Sequence, residues 1–299
     1  MDHKPALFTQ ESNPLDAPLR FKIQPYSGTN PFVLRMMDFL RANMREEIFG
    51  AYLHGSLATG EEIPYSDFDA LVVHKRDGSR NPTHIADLNG KLKRAQQIMF
   101  EFDPLQHHGW FELSESQFSH YNSSVFPYEL FNFSKSLLLD QGLDIALHPC
   151  DSRAEMRSSF LDVVRNFQHG IQSAQPLKNM YHLKNTLSLF MLLPALYVQA
   201  RDGRGIFKKL SFAAARTDFS ETDWEPMVRV SEIRALWRLE ISPLKRWLLT
   251  RPWKIRRRCA RYLAPAVPFQ LRELITAELR GGMFRLAGLM KEKLDLTGC

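Results

Sequence analysis

The sequence has few cysteines and no long apolar run. Its 299 residues include only Cys150, Cys259 and Cys299, whose odd number and wide spacing favour neither a disulfide framework nor a cysteine metal site. Scattered free thiols are typical of a reducing compartment, so we expect a cytoplasmic protein. No stretch approaches the roughly 18 consecutive apolar residues of a membrane span, and the N-terminal residues lack a signal-peptide pattern. We therefore expect no membrane partner.

Negative charge is scarcer than positive charge. The chain has 39 Lys and Arg residues against 33 Asp and Glu residues, which gives a formal net charge of +6. Much of the excess lies in residues 251–262, RPWKIRRRCARY, which contain no acidic residue. A basic run can bind an anionic partner, so an RNA contact at Arg256, Arg257 and Arg258 is one interpretation. The other is a solvated helix face.

The apolar pattern divides the chain into three parts. Residues 1–25 are polar at first and contain proline, which predicts an irregular N-terminal arm. Residues 26–125 alternate between helical and strand patterns, with helices from Pro31 and over 83–100 and strands near 48–55, 66–73 and 107–113. Residues 126–299 contain several long helical patterns. We expect a compact unit of helices and strands followed by an all-helical domain.

A Gly-Ser pair and two aspartates stand out in residues 54–73, HGSLATGEEIPYSDFDALVV. Asp67 and Asp69 are two apart on a predicted strand, so both side chains should point to one face. Two such carboxylates repel each other unless a cation lies between them, and Mg²⁺ prefers oxygen ligands. Gly55 permits close backbone approach, and Ser56 offers a hydroxyl and an N–H to a phosphate. Further hydroxyl candidates are Thr59 and Ser66.

Gly55-Ser56 followed by Asp67-x-Asp69, with flanking apolar residues, resembles the signature of the DNA polymerase β-like nucleotidyltransferase superfamily. The close resemblance covers residues 47–73. It implies an α+β fold, in which a small mixed β-sheet carries the site and an all-helical domain follows. It also implies an enzyme that uses two Mg²⁺ ions and an NTP, whose NMP group passes to a hydroxyl acceptor with release of pyrophosphate.

The sequence does not identify the acceptor of the NMP group: a small molecule, a protein side chain and RNA are all compatible with it. A different class of function is also compatible. The chain would then be a catalytically degenerate nucleotide-binding protein that acts as a sensor or partner. The two hypotheses differ in whether a third catalytic group joins the two aspartates.

The resemblance implies a third carboxylate on a later strand, which helps to deprotonate the acceptor. Glu112 is the first candidate because it lies between apolar residues on a predicted strand. Asp103 is the second, although the proline after it indicates the end of an element. His107 or His108 could replace the carboxylate, since histidine titrates near neutral pH.

The helical half supplies further candidates for nucleotide binding. Tyr181 and Lys184 are three apart on a predicted helix and so share a face. Related enzymes use such a helix to stack the base and touch the triphosphate. Lys208 and Lys209 follow a glycine-containing turn, and the resemblance implies that one of them contacts the triphosphate, a role that suits a flexible point charge.

Overall fold

The computed structural model describes residues 18–75, 82–123, 126–138, 143–173, 177–251 and 253–296. The strands in these ranges are β1 (Leu19–Pro25), β2 (Ile48–Leu53), β3 (Ala70–His74), β4 (Phe111–Ser114), β5 (Lys135–Ser136) and β6 (Leu143–Leu147). The helices of the first half are α1 (Pro31–Asn43), α2 (Gly55–Thr59) and α3 (Pro82–Phe102). Those of the second half are α4 (Arg153–Gln172), α5 (Met180–Asp202), α6 (Lys208–Arg216), α7 (Glu221–Ala235), α8 (Pro243–Leu249), α9 (Trp253–Leu263), α10 (Phe269–Leu274) and α11 (Ala277–Leu296).

The strands form one mixed sheet in the order β4-β3-β2-β5-β1-β6. Strand β3 pairs antiparallel with β2 and parallel with β4, while β1 pairs parallel with β5 and antiparallel with β6. A mixed sheet followed by a helical region confirms the predicted α+β fold.

The sheet extends beyond the predicted limits of 26–125. Strand β1 lies within the predicted N-terminal arm, and its alternation of buried Phe21 and Ile23 with exposed Arg20 and Lys22 is a strand pattern. Strands β5 and β6 lie beyond residue 125, and β5 has only two residues, too few to show any periodicity. The sheet unit therefore runs from Leu19 to Leu147, and the long helices begin with α4. Residues 1–17 of the arm lie outside the described residues.

Apolar side chains cover both faces of the sheet. On one face, α1 and α3 contribute buried residues such as Val33, Leu40 and Met99. The other face carries an aromatic cluster that includes Tyr52, Phe126 and Phe131. Burial on both faces explains why β2 and β3 are nearly continuous apolar runs.

Helix α5 is the central element of the helical half. Fourteen of its residues are buried, and it packs against α4, α6, α7 and α11. None of the helices in the described ranges combines the length and apolar character needed to cross a bilayer.

Tyr65 joins the two halves. It precedes the two aspartates in the sequence, yet it is buried in the core of the helical half. Its ring meets Trp237 edge-on with 4.9 Å between centroids, and its hydroxyl donates to the backbone carbonyl of Lys184 at 2.7 Å. The segment that leads to Asp67 is therefore fixed against helix α5.

Candidate active site

Asp67 and Asp69 lie immediately before β3, which begins at Ala70 and not at residue 66 as the sequence pattern predicts. Their carboxylates meet the imidazole of His108, whose Nε2 is 3.0 Å from Oδ1 of Asp69 and 3.9 Å from Oδ2 of Asp67. One ligand atom from each of these three residues lies within 4.8 Å of the others. Burial alone would lower the pKa of His108, but the two carboxylates raise it to about 9. Without a bound cation, the protonated imidazole is the partner of Asp69.

The side chain of Gln106 holds this segment in place. Gln106 is fully buried, and its amide accepts a hydrogen bond from the N–H of Phe68 at 2.8 Å and donates to the carbonyl of Phe68 at 3.0 Å. It also donates to the carbonyl of His108 at 3.0 Å. Because Phe68 stands between the two aspartates, Gln106 ties them to the backbone that carries His108. The sequence carries no signal for this role, because a lone glutamine in a loop matches no motif.

Gly55 is required by its backbone conformation and by its surroundings. Its φ of 70° is a left-handed value, and a Cβ at this position would lie 2.6 Å from Oδ2 of Asp69. The preceding residue, His54, donates its backbone N–H to the carbonyl of Asp69 at 3.0 Å. The turn after β2 is thus held tightly against the second aspartate.

The hydroxyls beside this turn form a short hydrogen-bonded chain. Ser56 donates to Ser66 at 2.9 Å, and Ser66 accepts the backbone N–H of Ile63 at 3.0 Å. Ser66 is buried, so Ser56 is the more accessible of the two serine hydroxyls. The hydroxyl of Thr59 is bonded to the carbonyl of Ser56 at 3.3 Å and to Glu61 at 3.2 Å.

Lys184 reaches into the site from α5 as an internal counterion. Its side chain is 1% exposed, and its ammonium lies 2.7 Å from Oδ1 of Asp67 and 2.7 Å from Oδ2 of Asp103. It also donates to the carbonyl of Tyr65 at 2.8 Å. Burial alone would raise the pKa of Asp67, but Lys184 and His108 hold it below its usual range. Because it donates to Tyr65 and Asp103 and forms an ion pair with Asp67, Lys184 does not have the exposed ammonium expected of a triphosphate contact.

The structure does not bring Glu112 to the two aspartates. Glu112 pairs with Val72 of β3, beyond the end that carries the site. Its carboxylate is 55% exposed and lies 3.2 Å from Nε2 of His74. Asp103 does reach Asp67, but it is engaged by Lys184, and burial raises its pKa to about 6. Of the four candidates for the third group, His108 is the one that faces both aspartates.

Tyr181 and His107 stack on each other. Their ring centroids are 4.3 Å apart with an angle of 11° between the planes. Tyr181 is buried, so its ring is not available to stack on a nucleobase, in contrast to the sequence-based expectation. Burial also lowers the pKa of His107 to about 3, which keeps it neutral.

The two lysines at the start of α6 have different surroundings. Lys209 is exposed and forms an ion pair with Glu61. Burial and the nearby Arg234 lower the pKa of Lys208 to about 8, while the charges of Asp69 and Asp67 oppose that shift, so Lys208 lies near both aspartates. Within the described ranges the ammonium of Lys208 has no ion-pair partner. Lys208 is therefore the better of the two candidates for an anion contact.

The basic run has a buried member. The side chain of Arg256 is fully buried, lies over the ring of Phe100 and donates to the carbonyls of Pro104 and Gln106. It cannot contact RNA, which corrects the sequence-based interpretation for this residue. Arg257 and Arg258 are exposed on the surface of α9. The structure thus explains Arg256 as a support for the loop between α3 and β4.

Residues 37–123 match the family model described as "Nucleotidyltransferase domain". This range contains the Gly-Ser turn, both aspartates and His108. This part of the chain is a nucleotidyltransferase domain of the DNA polymerase β-like superfamily. Lys184 and Lys208, which approach the nucleotidyltransferase site from the helical half, lie outside the matched range.

Comparison with other proteins adds little beyond the family. A solved structure of spectinomycin adenyltransferase AAD(9) from Enterococcus faecalis with ATP and spectinomycin is 12% identical to the chain. It matches with a TM-score of 0.39 over 78% of this chain and 99% of that one. A likeness this weak indicates nothing about the substrates of the present chain. No curated protein sequence is similar enough to count as a relative.

Replacing Gly55 by alanine tests the fit between the turn and Asp69. Gly60 is a matched control, because its φ is 69° but a Cβ there would meet nothing within 4 Å. We expect Gly60→Ala to lower the free energy of unfolding by about 1 kcal/mol through backbone strain. Gly55→Ala should cost about 1–3 kcal/mol more, because the methyl group overlaps Asp69. Urea denaturation of both variants measures the difference, and equal losses would show that the contact with Asp69 is unimportant.

Replacing Lys184 by methionine tests its role as the internal counterion. The change leaves the buried carboxylates of Asp67 and Asp103 without their cation, so we expect the free energy of unfolding to fall by about 3–5 kcal/mol. Adding Asp103→Asn to Lys184→Met removes one of the two uncompensated charges. The double variant should therefore be more stable than Lys184→Met by about 1 kcal/mol or more. Denaturation curves that give simply additive losses would contradict the ion-pair account.

Proposed function

We propose that this protein transfers an NMP group from an NTP to a hydroxyl acceptor, with release of pyrophosphate and with the help of a divalent cation. The observation that carries the proposal is the convergence of Asp67, Asp69 and His108 within a nucleotidyltransferase domain. Three potential ligand atoms within 4.8 Å of one another, two of them carboxylate oxygens, favour metal-dependent phosphoryl chemistry.

The donor set fits a divalent cation. Two carboxylates this close repel each other, and Lys184 compensates only one oxygen of Asp67, leaving Oδ2 of Asp67 and Oδ1 of Asp69 towards His108. Asp67 and Asp69 would hold the ion, and the superfamily resemblance implies Mg²⁺, with two ions in total. When bound, such an ion neutralises charge on phosphoryl oxygens and polarises the phosphorus for attack.

The other residues of the site would bind and orient the NTP. Lys208 offers a positive charge that has no carboxylate partner in the described part of the chain and that Asp69 and Asp67 attract, which suits the outer phosphates. Ser56 offers a hydroxyl at the turn beside Asp69, where the absence of a side chain on Gly55 keeps the backbone close. The positive charge of Arg234 acts on Lys208 and adds to the positive potential around it.

The acceptor is a hydroxyl compound whose class we leave to experiment. A small molecule and a protein side chain both fit the proposal. An RNA acceptor could contact Arg257 and Arg258 but not Arg256, because the buried Arg256 side chain is hydrogen-bonded to the loop between α3 and β4.

A second candidate function is supported by the position of Glu112. The Glu112 carboxylate is at the surface with His74, and Asp103 is engaged by Lys184. In the described ranges, only the carboxylates of Asp67 and Asp69 are therefore free to act together with His108. The protein would then bind an NTP and act as a sensor. We favour transfer, because the imidazole of His108 stands where a third group is needed.

Calorimetric titration of ATP, GTP, CTP and UTP tests the proposed site without knowledge of the acceptor. In the presence of Mg²⁺ or Mn²⁺ we expect one NTP to bind preferentially, and Asp69→Asn to weaken that binding by about 100-fold, since it removes a ligand of the cation. Glu112→Gln is the matched control on the neighbouring strand and should bind like the native protein. NTP binding that survives in Asp69→Asn would contradict the proposal. Pyrophosphate release with panels of hydroxyl compounds then separates transfer from sensing.

Exchanging each lysine at the start of α6 for methionine tests the assignment of the phosphate contact. Lys208→Met should weaken NTP binding by about 10- to 100-fold, because a charge-assisted hydrogen bond contributes about 1.5–3 kcal/mol. Lys209→Met should change the affinity by less than about threefold, since it removes only an exposed ion pair with Glu61. The same calorimetric titration measures both, and a larger loss in Lys209→Met would reverse the assignment.

A further inference from the structure

We propose that His108 is a ligand of the cation and that its nitrogen makes the site prefer Mn²⁺ to Mg²⁺. This inference rests on the proposed function, since it concerns the cation of the same site. It departs from the superfamily resemblance, which implies Mg²⁺ and a carboxylate in the third position.

The pairing of the strands puts His108 in that third position. Strands β3 and β4 are parallel, with Leu71 opposite Phe111. Following this register back by two residues brings Gly109 beside Asp69, at the end of the sheet where both aspartates lie. The adjacent His108 turns its Nε2 towards Asp69 and Asp67. An imidazole therefore occupies the place from which a third carboxylate would complete the site.

The ring of His108 is oriented as a metal ligand is. Its Nδ1 lies 3.1 Å from the carbonyl oxygen of Gly109, to which it donates a hydrogen bond. Histidines that bind metals usually donate their second ring N–H to a backbone carbonyl or a carboxylate, which fixes the tautomer and points the other nitrogen at the ion. Here that arrangement leaves Nε2 for the ion. The buried Gln106 amide, bonded to the carbonyl of His108, holds the same segment.

The nearby acidic residues do not take this place in the described structure. Glu112 is at the surface with His74, and Asp103 is held by Lys184. Lys184 also occupies Oδ1 of Asp67, so this residue presents its other oxygen to the ion. The protein's donors are then two carboxylate oxygens and one imidazole nitrogen.

These three donor atoms determine which of the two cations, Mn²⁺ or Mg²⁺, binds more tightly. Mg²⁺ is bound almost entirely through oxygen and demands near-ideal octahedral geometry. Imidazole is a frequent ligand of first-row transition ions such as Zn²⁺, Fe²⁺ and Ni²⁺, while carboxylate and water oxygens suit both Mg²⁺ and Mn²⁺. Mn²⁺ accepts nitrogen while still taking the carboxylate, water and phosphate oxygens that an NTP site provides, so we expect it to bind more tightly than Mg²⁺.

The test is titration of the full-length protein with MnCl₂ and with MgCl₂ in the absence of nucleotide, followed by electron spin echo spectroscopy of bound Mn²⁺. We expect native protein to show nitrogen coupling from one imidazole. In His108→Glu, which supplies an oxygen in its place, this coupling should vanish, and the ratio of the Mn²⁺ and Mg²⁺ affinities should shift towards Mg²⁺ by about tenfold or more. His120→Gln, at an exposed histidine, is the control and should leave both unchanged.

An unchanged affinity ratio in His108→Glu, or bound Mn²⁺ without nitrogen coupling, would overturn the proposal. Lost turnover in His108→Glu with an unchanged ratio would also overturn it and would make His108 a proton acceptor instead. If His108→Glu fails to fold, His108→Gln and the spectrum of the native protein decide the question. Loss of NTP binding in Asp69→Asn would uphold the proposed function even where this inference fails, so the two failures are distinguishable.

Discussion

The contact of Lys184 with Asp67 and Asp103 is the interaction on which the site depends. One ammonium from the helical half neutralises two carboxylates of the sheet unit, and all three groups are largely withdrawn from water. Such charges are costly to bury unless each is paired and hydrogen-bonded. Helix α5 and the nucleotidyltransferase domain are therefore held together at the site itself, so the position of Asp67 is fixed by both halves of the chain.

A second set of contacts, through the loop between α3 and β4, holds the segment with the two aspartates in place. Arg256, from α9, donates to the backbone carbonyl of Gln106, and the side chain of Gln106 binds both backbone groups of Phe68. The two aspartates stand on either side of Phe68. At Phe68, just before β3 begins, the buried Gln106 amide substitutes for a neighbouring strand by bonding both backbone groups. The spacing between the aspartates and His108 depends on this substitution.

The chemistry of the site follows from which charges these supports leave accessible. Asp103 and one oxygen of Asp67 are engaged by Lys184, while Asp69 pairs with His108, and Lys208 lies close enough for both aspartates to attract its charge. In the proposed function, a cation between the carboxylates and an anion at the lysine would balance these charges. That complementarity supports a metal–nucleotide complex as the ligand more directly than any single residue does.

The sequence by itself determined the α+β class and the nucleotidyltransferase motif, because strand periodicity and the Gly-Ser and Asp-x-Asp spacing are local. Only the tertiary structure decided the third group and the part played by each lysine. Glu112 is the first candidate in sequence, but the register of β3 and β4 brings His108 to the aspartates instead. In the sequence, Lys184 likewise looks like an exposed residue on the polar face of a helix, and only the packing of α5 shows that it is buried. Burial and strand register join residues that are far apart in the chain, and local patterns do not encode which of them will meet.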